Sequence, residues 1–267
     1  MENKIARHIE VNGVTYDVPT IEGFDLSKLG YGVEYNSIIN QYYIENIKAS
    51  EDLKYNWEKP WGDISKDITF LPNLDWSETP NIGQKFMNFT NLKYVDLMNS
   101  SKSTTMLQTF HACYNLISIN EMYFNNSTQA DYMCYNCQAI NHIKLTSVEK
   151  VTSFHAAFTG CSALSTLLIS GWKNATININ SSSKIDTKSI KYIIFHAVNI
   201  ADGATNRTLT LHATPLATWN DEVANTTPTA EDAEFLGVEG WDRYKKDDGS
   251  LYTWGEIASG IKDITIA

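Results

Sequence analysis

The stretch "FTGCSALSTLLIS", residues 158–170, sets a cysteine between an aromatic residue and a run of leucines, in a chain with only four cysteines. Phe158, Cys161, Leu164 and Leu167 stand three apart, and each has counterparts upstream at one constant distance. Cys134, Cys137, Ile140 and Ile143 precede them, then Phe110, Cys113, Leu116 and Ile119, then Phe86, Phe89, Leu92 and Val95, at an offset of 24 positions each time. A fifth column, Ile82, Met106, Ala130 and Phe154, keeps the same register four residues ahead of the first. A fixed period carried by several apolar columns marks stacked repeats. One repeat cannot bury its own apolar face, so successive repeats cover one another and the columns fuse into a continuous core.

The period assigns residues 66–181 to the repeats. "ITFLPNLDWSETPNI" forms an irregular first turn, with Ile68 and Leu71 standing 24 positions before Leu92 and Val95. Four further turns span 86–109, 110–133, 134–157 and 158–181. In each, the Leu-x-x-(Val/Ile/Leu) piece predicts a strand of a narrow parallel sheet, and the aromatic or cysteine segment before it predicts a short helix or turn on the other side. The fold class is therefore an α/β solenoid. One turn deviates: "LISINEMYF" places Glu121 where Leu97, Leu145 and Ile169 predict an apolar residue. Met122 takes that place through a one-residue bulge, and the register recovers at Ala130.

Residues 1–65 do not follow the period. "HIEVNGVTYDV" alternates around Asn12-Gly13, a turn pair that tolerates positive φ, and predicts a hairpin over 8–18. Ile38, Ile39, Tyr42, Tyr43 and Ile47, at mixed spacings of three and four, predict a helix around 37–55, which "NWEKPWGD" ends. Beyond the repeats, 182–243 reads as a terminal cap. Asp186 caps a helix with an apolar stripe of Ile190, Ile193, Ile194 and Val198, ended by "ADG"; "RTLTLHA" follows as a last parallel strand, and "TAEDAEFLGVEGWD" is a short helix closing the end. In the tail, 244–267, a DDG turn between Tyr244 and Tyr252 predicts a hairpin or an extended arm.

Composition narrows the function classes. A hydrophobic share of 43% with 12% aromatic residues describes a packed chain, and no stretch approaches the roughly 20 continuous apolar residues of a membrane span. The net charge of −10 and the scattered lysines offer no basic face for nucleic acid. "MENKIARHIEVNG" lacks a charged region followed by an apolar one, so no secretory signal is visible, and the expected site of folding is a cytoplasm.

Catalytic chemistry finds no foothold. Phe89 shares a column with Cys113, Cys137 and Cys161, so that column wants apolar bulk, and its thiols read as buried filler. "CYNC" at 134–137 raises zinc, yet no second Cys-x-x-Cys or histidine pair supplies the remaining ligands, so neither metal nor cofactor is expected. A reducing cytoplasm and the geometry of adjacent turns disfavour disulfides. The histidines are dispersed, and no nucleophile elbow, Walker loop or dinucleotide fingerprint is present. The expectation is a protein that is not an enzyme. What remains is surface: alternation along each strand turns Tyr94, Asp96, Ser118, Asn120, His142, Lys144, Thr166 and Leu168 to an exposed, ligand-facing ladder. In the N-terminal region, Tyr42, Tyr43, Tyr55, Trp57 and Trp61 are dense enough in aromatics to be docking anchors.

Several segments resemble a known family. "FHAAFTGCSALSTL" and, in altered form, "MLQTFHACYNLISI" are similar to the BspA-like leucine-rich repeats of bacterial surface proteins, as is "LDWSETPNIGQKFMNFTNLKYVDL". The segment "SIKYIIFHAVNIADGATNRTLTLHATPLATW", with the later "GVEGWD", resembles the cap that follows such repeats in proteins of gut Bacteroidales and their phages. The resemblance covers roughly 66–243. It implies a leucine-rich-repeat solenoid, binding or adhesion in place of catalysis, and no catalytic residues to carry over. Together with the missing export signal, it leads to the expectation of a bacteriophage virion protein in tail, fibre or capsid decoration, forming part of a homo-oligomer or larger assembly. Residues 1–65 would dock to other virion proteins while the solenoid meets a host-surface receptor or glycan. The alternative is a bacterial cell-surface adhesin.

Overall fold

The structure, a computed structural model, describes residues 8–11, 14–17, 33–36, 41–44, 66, 68–71, 74–75, 80–238 and 241–267. At the N-terminal end, β1 (His8–Val11) and β2 (Val14–Asp17) pair antiparallel with Val11 opposite Val14, the hairpin that Asn12-Gly13 predicts. A second antiparallel pair joins β3 (Val33–Asn36) to β4 (Gln41–Ile44). This corrects the helix expected around 37–55: residues 41–44 are strand, and the rest of that span lies outside the described residues. The physical reason is composition. Tyr42, Tyr43 and Ile44 are aromatic or β-branched and favour a pleated surface, and "VEYN" upstream gives them a strand to pair with.

A parallel-strand solenoid of about three turns follows. Its narrow sheet runs β10 (Thr166–Ile169), β9 (His142–Thr146), β8 (Ser118–Tyr123), β7 (Tyr94–Asn99) and β5 (Phe70–Leu71), with β6 (Leu74–Asp75) also paired to β7. Tyr94 lies beside Ser118, Ser118 beside His142 and His142 beside Thr166, partners consistent with the predicted period. The four apolar columns are enclosed from Phe86 through Leu167, and Ile68 and Leu71 extend two of them into the irregular first turn. Burial of a large apolar side chain is worth about 1.5–3 kcal/mol, so the stack is the main stabilising element.

The bulge lies at Glu121–Met122 as expected, and β7, in register with β8, shares its inward pattern. In both β7 and β8 the buried residues are Val95 and Met98, Ile119 and Met122, while Leu97 and Glu121 are only half-buried. Leu97 is therefore not a core residue; Met98 takes that place. The one-residue slip falls between β8 and β9, where Ile119 faces Ile143 but Met122 faces Leu145.

On the far side of each coil the chain forms turns. Local bonds run from Lys85 N to Ile82 O, Met87 N to Gln84 O and Phe89 N to Phe86 O, while the intervening amides of Gln84, Phe86 and Asn88 donate to Leu107, Thr109 and His111 of the next coil. The pattern recurs from Gln108, Phe110 and Ala112 to Asp131, Met133 and Tyr135, and from Tyr132, Cys134 and Asn136 to His155, Ala157 and Thr159. Alternating the direction of successive amides forces positive φ twice per coil, at Gln84 and Asn88, Gln108 and Ala112, Tyr132 and Asn136, Ala156 and Gly160. Glycine occupies the last of these eight, where an added Cβ would collide with Asn136 Oδ1 and lie 3.1 Å from Asn136 Cα.

Corners are bonded as well. Thr104, Thr128 and Thr152 each donate both amide and hydroxyl to the carbonyl of Pro80, Thr104 and Thr128 in turn. At the opposite corner the amides of Lys93, Ile117, Asn141 and Ser165 do the same one coil at a time.

The C-terminal part continues on a second parallel sheet of β11 (Ile177–Asn178), β12 (Arg207–Thr210) and β13 (Ile264–Ile266). Helix α1 (Thr187–His196) is capped by Asp186, which accepts from Ser189 N at 2.7 Å, and buries Ile190, Ile193 and Ile194. It ends at His196, before Val198, and "ADG" closes a separate 3-10 turn over Ile200–Asp202. The helix α2 (Ala213–Thr218) comes next, and α3 (Ala230–Leu236), with its Thr229/Asp232 capping box, is held to α1 by Lys191 to Asp232 at 2.7 Å. The "RTLTLHA" strand is not the last. The tail turns at the DDG sequence, with Lys245 bridged antiparallel to Leu251, then buries Trp254 and lays β13 beside β12.

Two enclosed cations lock this part together. Arg207 donates from Nη1 to Lys173 O at 2.7 Å and from Nη2 to Val198 O at 2.6 Å and Lys262 O at 2.7 Å, its guanidinium 5.1 Å from the Trp172 ring. Lys262 Nζ donates to Phe195 O at 2.9 Å and Ala197 O at 2.6 Å, the carbonyls left unpaired at the α1 C-terminus, where positive charge is favoured. Burial, then the charges of Arg243 and Arg207, bring the Lys262 pKa down to about 8.

Two outcomes test this account. Gly160→Ala, strained in the left-handed region, is expected to lower unfolding free energy by roughly 1–2 kcal/mol or more, read from denaturant midpoints at constant slope; an unchanged midpoint refutes the turn geometry. For Lys262 the folded-state pKa lies below the unfolded one, so the unfolded chain binds the extra proton and stability rises from about pH 8 toward pH 10. Lys262→Met should flatten that rise in unfolding measured across the window, and identical slopes would refute the lock.

Candidate functional site

The strand face is built by alternation: Val95, Ile119, Ile143 and Leu167 turn inward, so their neighbours turn outward. Its first row is Tyr94, Ser118, His142 and Thr166, in register across the four strands, with Tyr94 the most exposed at 39%. In the second row Asn120 Nδ2 donates to Asp96 Oδ1 at 2.9 Å. The bulge then re-aims Glu121 onto this face, where its carboxylate meets Lys144 Nζ and the Thr146 hydroxyl, both at 2.9 Å. The structure thus brings Asp96 to Asn120 and Lys144 to a partner absent from the predicted ladder.

Electrostatics follow from these contacts. Burial raises the Glu121 pKa, but the hydrogen bonds from Lys144 and Thr146 outweigh it and hold the carboxyl below the usual range. The Glu121 bond raises Lys144 in turn. His142 is pushed down by burial and by Lys144, with Asp186 opposing. Tyr192 of α1 is close enough to feel Lys144 and Glu121, and burial raises its hydroxyl pKa. An ion pair this exposed contributes about 0–1 kcal/mol; its effect is to fix where charge sits on the face.

Of the docking candidates, Tyr42 and Tyr43 lie on β4, and Tyr55, Trp57 and Trp61 lie outside the described residues. The core ladder of Phe86, Phe110, Cys134 and Phe158, with Phe89, Cys113, Cys137 and Cys161, is fully buried, Phe86 and Phe110 stacking at 5.4 Å. All four thiols are free. Three of them have a specific contact: Cys113 Sγ donates to Phe86 O, Cys137 Sγ to Phe110 O and Cys161 Sγ to Cys134 O, each at 3.1 Å. Burial drives the thiol pKa of Cys113, Cys134 and Cys161 well up, away from the reactive thiolate. Among the described residues no group of three or more His, Cys, Asp or Glu is placed to hold a metal ion, and no helix is long and apolar enough to cross a membrane.

Sequence reasoning missed a second cluster, on the turn side. His111 and Tyr135 stack at 5.1 Å with planes 8° apart, Tyr132 lies 5.7 Å from Tyr135, and His155 stands edge-on to Tyr132 at 5.2 Å with Nε2 3.1 Å from its hydroxyl. Asp131 holds this surface by accepting from Ser153, Gln129 and His155 N. The signal lay in the period: His111 and Tyr135 are one repeat apart.

No protein-family model, curated protein or solved structure matches the chain. Its own geometry must carry the functional reading.

Thiol accessibility checks the ladder. A disulfide reagent added to the native chain should modify none of the four cysteines except through unfolding, and all four should react in denaturant. Rapid labelling of Cys137 in the native state would refute the buried column.

Proposed function

We propose that this protein is a non-enzymatic leucine-rich-repeat module of the BspA-like type, carried as a structural component of a bacteriophage particle in tail, fibre or capsid decoration. Its coils, with strand partners 24 positions apart, present the face of Tyr94, Asp96, Asn120, His142, Lys144 and Thr166 to a protein or host-surface glycan. Residues 1–65 dock it to other virion proteins. Inter-coil hydrogen bonds on every side make the solenoid a rigid mount, so the face meets a partner preorganised and loses little entropy on binding.

The observation that carries the virion reading is the column of free thiols. An oxidising compartment exposes the cysteines of an unfolded chain to mispairing, whereas particle assembly in a reducing cytoplasm lets them enter the core as thiols. The same column weighs against the alternative, a bacterial cell-surface adhesin, whose chain folds after export.

Mass spectrometry of purified particles tests this. The chain is expected in the particle at fixed stoichiometry, and a version lacking residues 1–65 is expected to be left out. Recovery of the chain in the cell envelope and its absence from particles would overturn the proposal, and incorporation of the truncated chain would overturn the docking role.

A further inference from the structure

The outer surface of the turn side changes character along the solenoid. The row carrying Met87 and His111 reaches Tyr135, stacked on His111, and then drops to the exposed Thr159. The adjacent row runs Gln84, Gln108 and Tyr132, then drops to Ala156. Both rows fall from a ring to a small side chain between the same two coils. Backbone bonds of 2.8 Å from Tyr132 N to His155 O and from Asn136 N to Thr159 O clamp those coils together, so the step sits at a fixed position. His155 borders it, its ring held edge-on by Tyr132.

We propose that this step is a carbohydrate subsite, in which one neutral pyranose ring lies against the face of Tyr135 that His111 leaves uncovered, above Ala156 and Thr159. A pyranose presents a C–H face to an aromatic ring and a rim of hydroxyls to short polar groups. Tyr135 supplies the first, and the Thr159 hydroxyl and the His155 imidazole supply the second. Charge selects the class. The carboxylate beside the rings, Asp131, and a chain of net charge −10 repel uronic, sialylated and sulfated sugars. The Asp131 carboxylate is already committed to Ser153, Gln129 and His155 N, so it orients the site. The subsite lies across the coil from the strand face and does not rest on the virion reading.

The test is binding of the full chain to arrayed cello-, xylo-, manno- and chito-oligosaccharides, with oligogalacturonate as the acidic comparison, followed by titration calorimetry on the best neutral sugar. Tyr135→Ala is expected to weaken binding about tenfold or more. Thr159→Tyr, which continues the ring row and fills the step, should abolish binding while the unfolding midpoint is kept. Failure of every neutral sugar to bind, a preference for oligogalacturonate, or binding that survives Thr159→Tyr would each overturn the proposal.

Discussion

A single coil of this chain cannot satisfy its own backbone, because its strands are too short to fold back on themselves and its turns leave every second amide pointing away. Those amides reach carbonyls of the neighbouring coil: Gln84, Phe86 and Asn88 bond to Leu107, Thr109 and His111, and the series repeats downstream. An unpaired buried amide costs on the order of 1–3 kcal/mol, so docking the next coil is a condition of forming the present one. Hydrophobic columns then fill the space that the hydrogen bonds enclose. The thiols join both systems, being apolar bulk that also donates to a carbonyl of the preceding coil.

The same constraint makes the surface. With each backbone fixed to its neighbour, outward side chains form rows whose spacing is set by the coils, near the 4.7–4.9 Å typical between strands. The strand face carries its charge where the bulge turns Glu121 toward Lys144, and the turn face carries its rings where tyrosines happen to occupy consecutive rows. Both faces are held by the hydrogen bonds that run from coil to coil.

Much of this was legible in the sequence. The apolar columns, the Asn12-Gly13 hairpin, the Met122 bulge and the Asp186 cap each rest on a local rule that tertiary context did not override. Other features were hidden for physical reasons. Left-handed backbone at Gln108, Ala112, Tyr132 and Ala156 carries no glycine signature, because inter-coil bonds impose a conformation these side chains do not favour. The strand at 41–44 depended on a partner at 33–36 that helical spacing could not reveal. Leu97 and Met98 are equally apolar, and only the slip shared with β8 decides which one is buried. The tail showed no period, since Ile264–Ile266 pairs with a strand more than fifty residues upstream. For the candidate site, the outward ladder was readable from alternation, whereas the Glu121 partner and the ring cluster required the coils to be set side by side.

The carbonyl contact of each column thiol reaches back to the coil before, and its geometry is the same at all three places where it occurs. An interior coil therefore meets equivalent surfaces above and below, while the ends, with their hairpins and buried cations, are individual. Such a molecule can lengthen by gene duplication of one interior unit without inventing a new joint, and its reach can evolve separately from whatever its two extremities hold.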